Sequence, residues 1–446
     1  MAKLKEKYDV VIVGTGVAGL NCALNLPADK SVLIICKKSP RESDSYLAQG
    51  GICRLRGEYD YEEYYNDTMR AGHYENNPAA VERMLRGSRE IIDDLIACGV
   101  DFARQADGSL AYTREGGHTS ARICYHEDCT GSEITSVLMR NVESKKNVRI
   151  APQVVMLDII EDGENCSGLV VYDVKAKKVK LVRADYTVLA SGGIGGAFTN
   201  TTNFRAVSGD AVAICLKRGV RVDNINYIQV HPTALYSKRR GRRFLISESV
   251  RGEGAHLLDK NFNRFTDELQ PRDVVKEAVL AQMKKDGSDF VWLDMRPVPR
   301  EELESHFPQI VKRCAEEGYD CFTQPVPVAP AIHYFMGGVY SDLNGRTTLN
   351  RLYAVGETCC NGVHGKNRLA SNSLLESLVF AKSAAKDIAK VYCPLTMAQL
   401  SAVKVDISVY SDYKKILEEY KKDLRNALAL AEEGKDVNIN YGRKGQ

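Results

Sequence analysis

Four short stretches, far apart along the chain, concentrate side chains that can hold anions and move protons. Thr113–Arg122 reads T-R-E-G-G-H-T-S-A-R, and His231–Tyr236 reads H-P-T-A-L-Y. Glu248–Glu253 reads E-S-V-R-G-E and is followed by Pro271-Arg272-Asp273. The fourth combines His333-Tyr334 with Arg368–Glu376, R-L-A-S-N-S-L-L-E. Singly, each has an ordinary reading: His231 as a turn residue before Pro232, Arg368 as a surface charge, Glu248 with Arg251 as a helical ion pair. Together they describe a pocket with several fixed cations, and fixed Arg and His donors suit a small dicarboxylate.

A separate signal sits near the N-terminus. The run Tyr8–Val13 has the apolar, β-branched character of a buried parallel strand. Gly14, Gly16 and Gly19 follow in G-T-G-V-A-G, a helix continues through Leu20–Leu26 to Pro27, and Ser31–Cys36 supplies a second strand. Set inside a βαβ unit, these glycines form a dinucleotide fingerprint: a tight turn, close backbone approach to a pyrophosphate, and close helix–strand packing. The helix N-terminus offers free N–H groups to the phosphates. The acidic residue usual at the end of the second strand is missing, because Lys37 and Lys38 follow Cys36, which weakens a plain NAD reading. A second double glycine, in Thr187–Gly193, marks another close backbone approach to a ligand.

The elements that must position these residues alternate along the chain. Pro78–Cys98 has apolar residues at helical spacing, whereas Val148–Ile160 and Ser167–Val174 read as sheet. From Gln229 to Val328 the chain is richer in charge, with a loop at Lys238–Arg243 and several prolines, as in an inserted domain. Arg351–Val355 returns to buried-strand character, and a helix is expected from Ser373 to about Lys390. The expected fold is therefore α/β: a discontinuous Rossmann-like nucleotide domain (1–230 and 336–395), an inserted α+β capping domain (231–335) and a short C-terminal helical tail (396–446). In that tail Tyr413, Leu417, Tyr420, Leu424 and Leu428 share one helical face, with Ser411 as N-cap and Gly434 as stop. The chain beyond Asp436 is expected to fray.

Composition narrows the class. The chain has 446 residues, enough for two to four domains. Lys plus Arg number 61 and Asp plus Glu 58, a net +3 that argues against a nucleic-acid coat. No apolar run approaches a membrane span, no signal peptide is visible, and the 13 cysteines contain no C-x-x-C. These features predict a soluble, cytoplasmic protein. Cys124 and Cys129 flank His126, but no second ligand pair completes a zinc site, so no metal is expected.

The motifs, in their order, resemble the fumarate reductase/succinate dehydrogenase flavoprotein superfamily, and within it the L-aspartate oxidase family, over residues 7 to about 390. The likeness rests on G-T-G-V-A-G, A-Q-G-G (Ala48–Gly51), R-E-G-G-H, H-P-T-A-L-Y, E-x-x-R-G-E-G, P-R-D, H-Y-x-x-G-G, Gly356-Glu357 and N-R-x-A-S-N-S-L-L-E. The resemblance implies FAD. Thr15, Gly16, Val17 and Ala18, with Gly14 and Gly19, would meet its pyrophosphate, and Lys37 stands where the family places a lysine. Asp44, Ser45, Tyr46, Leu47, Ala48, Gln49, Gly50 and Gly51 would wrap the isoalloxazine side. Val155, Asp210, Glu357, Ser373 and Leu374 would add further contacts. Succinate dehydrogenases attach FAD through a histidine just upstream of A-Q-G-G; Asp44 occupies that place here, which implies a non-covalent flavin.

The same resemblance implies that His231, Thr233, His333, Arg368 and Ser371 hold two substrate carboxylates and that Glu115 pairs with the ammonium of L-aspartate. Arg272 matches the proton donor/acceptor of the superfamily, and Glu248 with Arg251 match its relay. The implied reaction is oxidation of L-aspartate to iminoaspartate, a first step towards quinolinate and NAD. Oxygen (giving hydrogen peroxide) or fumarate would be the acceptor, and quinolinate synthase a possible partner. The alternatives are a soluble fumarate reductase and a flavin-binding protein without catalysis. The C-terminal helical segment is shorter than in many L-aspartate oxidases.

Overall fold

A computed structural model describes residues 4–239 and 241–441 of the chain. The strands Lys7–Val13 and Val32–Cys36 are buried on both faces over most of their length, as strands covered by helices on both sides must be. They pair in parallel, Val10 opposite Val32, at the centre of a seven-stranded sheet. Its order is Val148–Pro152, Val32–Cys36, Lys7–Val13, Lys178–Leu189, Asn165–Asp173 and Val154–Asp162. Leu352–Ala354 adds in parallel to the C-terminal end of Lys178–Leu189. The single stretch of sheet expected over 148–160 is two strands. Gln153, at φ +60°, turns the chain, so that Val148–Pro152 runs parallel to Val32–Cys36 and Val154–Asp162 antiparallel to Asn165–Asp173.

Helices Val17–Asn25, Pro78–Cys98, Thr130–Glu143 and Asn372–Val391 cover one face of this sheet with one continuous apolar core. Helices Asp210–Lys217 and Tyr413–Glu432 cover the other. The helix expected from Ser373 therefore begins one residue earlier. A second, antiparallel sheet is made of Ile228–Leu235, Val326–Phe335, Val291–Asp294 and His256–Leu258, with its own core that includes Val275 and Val279 of helix Arg272–Asp286. This is the expected α/β architecture with an α+β insertion.

The C-terminal segment departs from expectation in three ways. Asp412, not Ser411, caps helix Tyr413–Glu432, its carboxylate accepting from the Lys415 N–H at 3.1 Å. A further helix, Met397–Ala402, opens on a Thr396/Gln399 capping box. Val437–Tyr441 is helical rather than frayed. Val437 is buried, and the Asn438 amide pairs with both backbone groups of Val222, accepting at 2.8 Å and donating at 2.9 Å. The remainder of the expected frayed tail, 442–446, and Arg240 of the Lys238–Arg243 loop lie outside the described residues. Among the described residues no helix is long and apolar enough to cross a membrane.

Candidate active site

The C-terminal ends of the central strands open into one elongated cavity of about 1720 Å³, part of it open to solvent. This is where an open α/β sheet places ligands. At one end are the glycine turn and the N-terminus of helix Val17–Asn25. Gly14 has φ +119°, and a Cβ there would drive into the backbone of Ala190, so only glycine lets the two strand ends approach. Lys37, on the cavity wall, forms an ion pair with Asp210 and donates to Ser208 Oγ at 2.9 Å. Further in, Asp44 accepts from the Asn203 amide and the Phe204 N–H, both at 2.8 Å. Burial pushes Asp44 up to about 6 and Glu357 up to about 8, the latter also facing Asp44.

The other end gathers the four polar stretches. Arg272 donates from Nε to Glu248 Oε2 at 2.5 Å and from Nη1 to Gln229 Oε1 at 2.9 Å. Arg251 Nη2 lies 3.7 Å from the same Glu248 oxygen, completing an Arg–Glu–Arg row. Burial alone would raise Glu248, but Arg272 and Arg251 outweigh it and hold the carboxyl below its ordinary range. Arg368 Nη2 donates to His333 Nε2 at 3.2 Å. A guanidinium only donates, so the proton of His333 sits on Nδ1 and goes to Thr202 Oγ1, 2.9 Å away. His231 Nδ1 accepts from the Thr233 N–H at 3.2 Å, which leaves the proton on Nε2. Among the described residues that Nε2 is buried without a partner, and His231 lines the cavity. Burial, then the surrounding arginines, push both histidines well below the ordinary range, so both are neutral donors or acceptors. Glu115 stands on the same wall, its two oxygens accepting from Ser249 Oγ and Ser371 Oγ.

Not every expected residue reaches the cavity. Val155 does not: strand alternation turns its side chain into a separate cluster with Leu157, Ile160 and Val170, and Val154 and Met156 line the wall instead. Val17 and Gly19 are buried in helix–strand packing, and Tyr46 lies off the wall. Thr233 is also off it; its hydroxyl donates to Ile246 O at 3.1 Å while its N–H orients His231. Arg251 stands behind Glu248. Ser371 does line the cavity, and its hydroxyl also meets Glu115 and the Gly51 N–H. His126, Glu127 and Cys129, passed over as ligands, bring their donor atoms within 4.8 Å of one another, away from the cavity lining.

Sequence reading missed several participants. Gln229 joins Arg272 to Arg368, its Oε1 accepting from both guanidiniums and its amide donating to Arg368 O and Asn367 Oδ1. Its place two residues before His231 was the available signal. Arg242 lines the cavity beside Asp44, and nothing distinguished it within K-R-R-G-R-R. His118 and Arg122, both within the first polar stretch of the sequence although given no role there, anchor the part of it that carries Glu115. Arg122 is fully buried, donating to Asp60 at 2.9 Å and Asp67 at 2.8 Å, and to His118 Nδ1 at 3.0 Å; His118 Nε2 then donates to Ala370 O. Removing one member of such a buried ionic cluster strands the others, at a cost of about 3–5 kcal/mol. Arg122→Leu is expected to lower the urea midpoint accordingly, and an unchanged midpoint would remove the network from the list of structural supports.

Comparison with known proteins agrees with this geometry. The family model described as an FAD binding domain matches residues 9–374. The L-aspartate oxidase of Clostridium perfringens is 45% identical over 386 residues, covering 86% of this chain and 87% of that protein. That of Clostridium acetobutylicum is 44% identical, covering 85% and 87%. The chain belongs to the L-aspartate oxidase family.

Among solved structures, an E. coli quinol fumarate reductase mutant superposes with TM-score 0.83 at 29% identity, over 92% of this chain and 74% of that one. An adenylylsulfate reductase from Archaeoglobus fulgidus, at 17% identity and TM-score 0.66, shares the fold. The cofactor of the L-aspartate oxidase family fold is FAD, and the residues present fit it. The glycine turn leaves backbone exposed at a helix N-terminus, and Ser43 Oγ and Gln49 Oε1, both on the cavity wall, are buried without partners among the described residues.

Proposed function

We propose that the chain oxidises L-aspartate to iminoaspartate, with fumarate or oxygen as the final acceptor. The observation that carries this reading is Glu115: beside Arg272, Arg368 and the neutral His231, Glu248 is paired with two guanidiniums, whereas Glu115 is held only by the hydroxyls of Ser249 and Ser371. A plain dicarboxylate satisfies the cations and leaves that carboxylate without a counter-charge. An amino dicarboxylate satisfies both.

FAD, when bound, supplies the two-electron acceptor for hydride leaving the substrate carbon. Gly14, Thr15, Gly16, Ala18, Lys37 and Asp210 would hold its nucleotide end. Asp44 to Gly51, Glu357, Ser373 and Leu374 would hold the rest, without a covalent bond, since Asp44 offers a carboxylate where the covalently attached flavoproteins of the superfamily offer a histidine ring nitrogen.

The chain's own residues do the remaining work. Arg368, His231 Nε2–H and Arg272 bind the two carboxylates and fix which carbon faces the acceptor, a positioning effect worth up to about 7–11 kcal/mol in well-oriented systems. Gln229 keeps the two guanidiniums in register. Glu115 binds the amine. In the acceptor direction Arg272 delivers a proton to carbon, refilled along Glu248 and Arg251. The second reading, a dedicated fumarate reductase, draws on that row and on the structural likeness above. It gives Glu115 no task. Iminoaspartate is proposed to pass to quinolinate synthase.

Anaerobic addition of L-aspartate to the FAD-loaded protein is expected to bleach the flavin absorbance, and readmitted oxygen or fumarate to restore it. Bleaching by succinate but not by aspartate would overturn the proposal in favour of the second reading.

A further inference from the structure

Glu115 is 4% exposed and does not stand alone. Its Oε1 accepts from Ser249 Oγ at 2.8 Å and its Oε2 from Ser371 Oγ at 2.6 Å. Each serine has one hydroxyl proton to give. Ser371 Oγ already accepts the Gly51 N–H at 3.2 Å, and Ser249 Oγ accepts from Ser247 Oγ at 3.1 Å. Both donor chains therefore run into the Glu115 carboxylate, one from backbone, one from the cap of helix Glu248–Gly252. A third side is closed by Gly50, where any Cβ would overlap Glu115 Oε1. Ser371 reaches this position only through a left-handed backbone, φ +60°, which costs a non-glycine residue about 1–3 kcal/mol and marks a site built for geometry.

We propose that Ser249 is a positioning residue for substrate selection: with Ser371 it forms a two-hydroxyl cradle that holds the buried Glu115 carboxylate turned to the amine of an amino dicarboxylate. This rests on the reading of Glu115 as the ammonium partner.

Burial and one facing anion oppose the charge of Glu115, and the two hydroxyls act with the facing cations to support it. Glu248 and Arg251 come from the same short helix as Ser249, Arg272 from helix Arg272–Asp286, Arg368 from the turn before Asn372–Val391, and the Cys53 thiol from the strand Gly51–Cys53. Burial and then Glu248 push the Glu115 carboxyl up, while Ser371, Arg272 and Ser249 pull it down. Removing one hydroxyl raises the carboxyl further, so it takes up a proton at higher pH and loses the charge that the amine needs.

The test uses the FAD-loaded enzyme and compares kcat/KM for L-aspartate oxidation and for fumarate reduction across pH. For Ser249→Ala the aspartate-to-fumarate ratio is expected to fall about tenfold through the aspartate KM, with the acid limb of the aspartate profile moved to higher pH. Ser249→Thr, which restores the hydroxyl, should recover both. A ratio and acid limb unchanged in Ser249→Ala, while Glu115→Gln raises the aspartate KM, overturns the cradle and leaves the ammonium reading standing. No effect of Glu115→Gln on aspartate overturns both.

Discussion

Replacing Arg272 by glutamine is expected to lower fumarate-reducing turnover about a thousandfold, inside the 10²–10⁴ range of a positioned general acid. The side chain is 7% exposed and held at Nε by Glu248 and at Nη1 by Gln229, so its orientation is set before substrate arrives. Reducing fumarate requires a proton at carbon, and Arg272 is the cavity-lining group joined to the Glu248–Arg251 row that can refill it. Aspartate oxidation makes a different demand. Hydride leaves the carbon, the proton leaves nitrogen, and no group need deliver a proton to carbon. The aspartate reaction is therefore expected to fall at least tenfold less than fumarate reduction, its loss expressed mainly in KM through the missing carboxylate contact. Steady-state assays with both substrate pairs, on protein whose FAD absorbance confirms loading, make the comparison. Equal losses in the two directions would mean that Arg272 serves binding alone.

Glu115→Gln should raise the aspartate KM about 100-fold, since truncating one partner of a buried charge pair costs 2–5 kcal/mol or more. The amide is nearly isosteric and can still contact Ser249 and Ser371, so the loss reports charge. The pH dependence gives a second readout. Burial, then Glu248, lift the Glu115 carboxyl above its ordinary value of 4.5. Aspartate binding needs the ionised form, so kcat/KM for aspartate should fall as pH drops through that raised value. In Glu115→Gln this acid limb should vanish and the residual activity be flat there. An unchanged KM, or an acid limb that persists in the variant, would assign the amine to another group.

Much of the frame was legible because its signals are local. Strand–glycine–helix order within about thirty residues marks a βαβ turn, and in that setting the short apolar run V-L-I-I-C reads as the next buried strand. Helix Pro78–Cys98 matched its expected limits because Asn77, Pro78 and Gly99 supply cap, first turn and stop within the sequence itself. The C-terminal segment was less legible for the same reason inverted. Val437–Tyr441 is too short to be helical alone, and what holds it is Val222, more than two hundred residues away. The side chain of Val155 turns away from the cavity, a direction that motif position cannot supply, because it identifies a strand without saying which way each residue faces.

Residue types alone determined that the chain handles a nucleotide and a small dianion: glycines at fixed spacing and clustered Arg, His and Glu admit few other chemistries. Which of those side chains meet was decided by the tertiary structure. The packing of strand Ile228–Leu235, helices Glu248–Gly252 and Arg272–Asp286 and the turn before Asn372–Val391 brings Gln229, Glu248, Arg272 and Arg368 within hydrogen-bond reach although 139 positions separate the first and last. The same packing assigns the imidazole protons, holds Glu248 ionised between two guanidiniums, and sets the hydroxyl of Ser371 against Glu115. Each of these depends on burial and on distances of about 3 Å between remote segments, where electrostatic interactions are strong enough to select one protonation state.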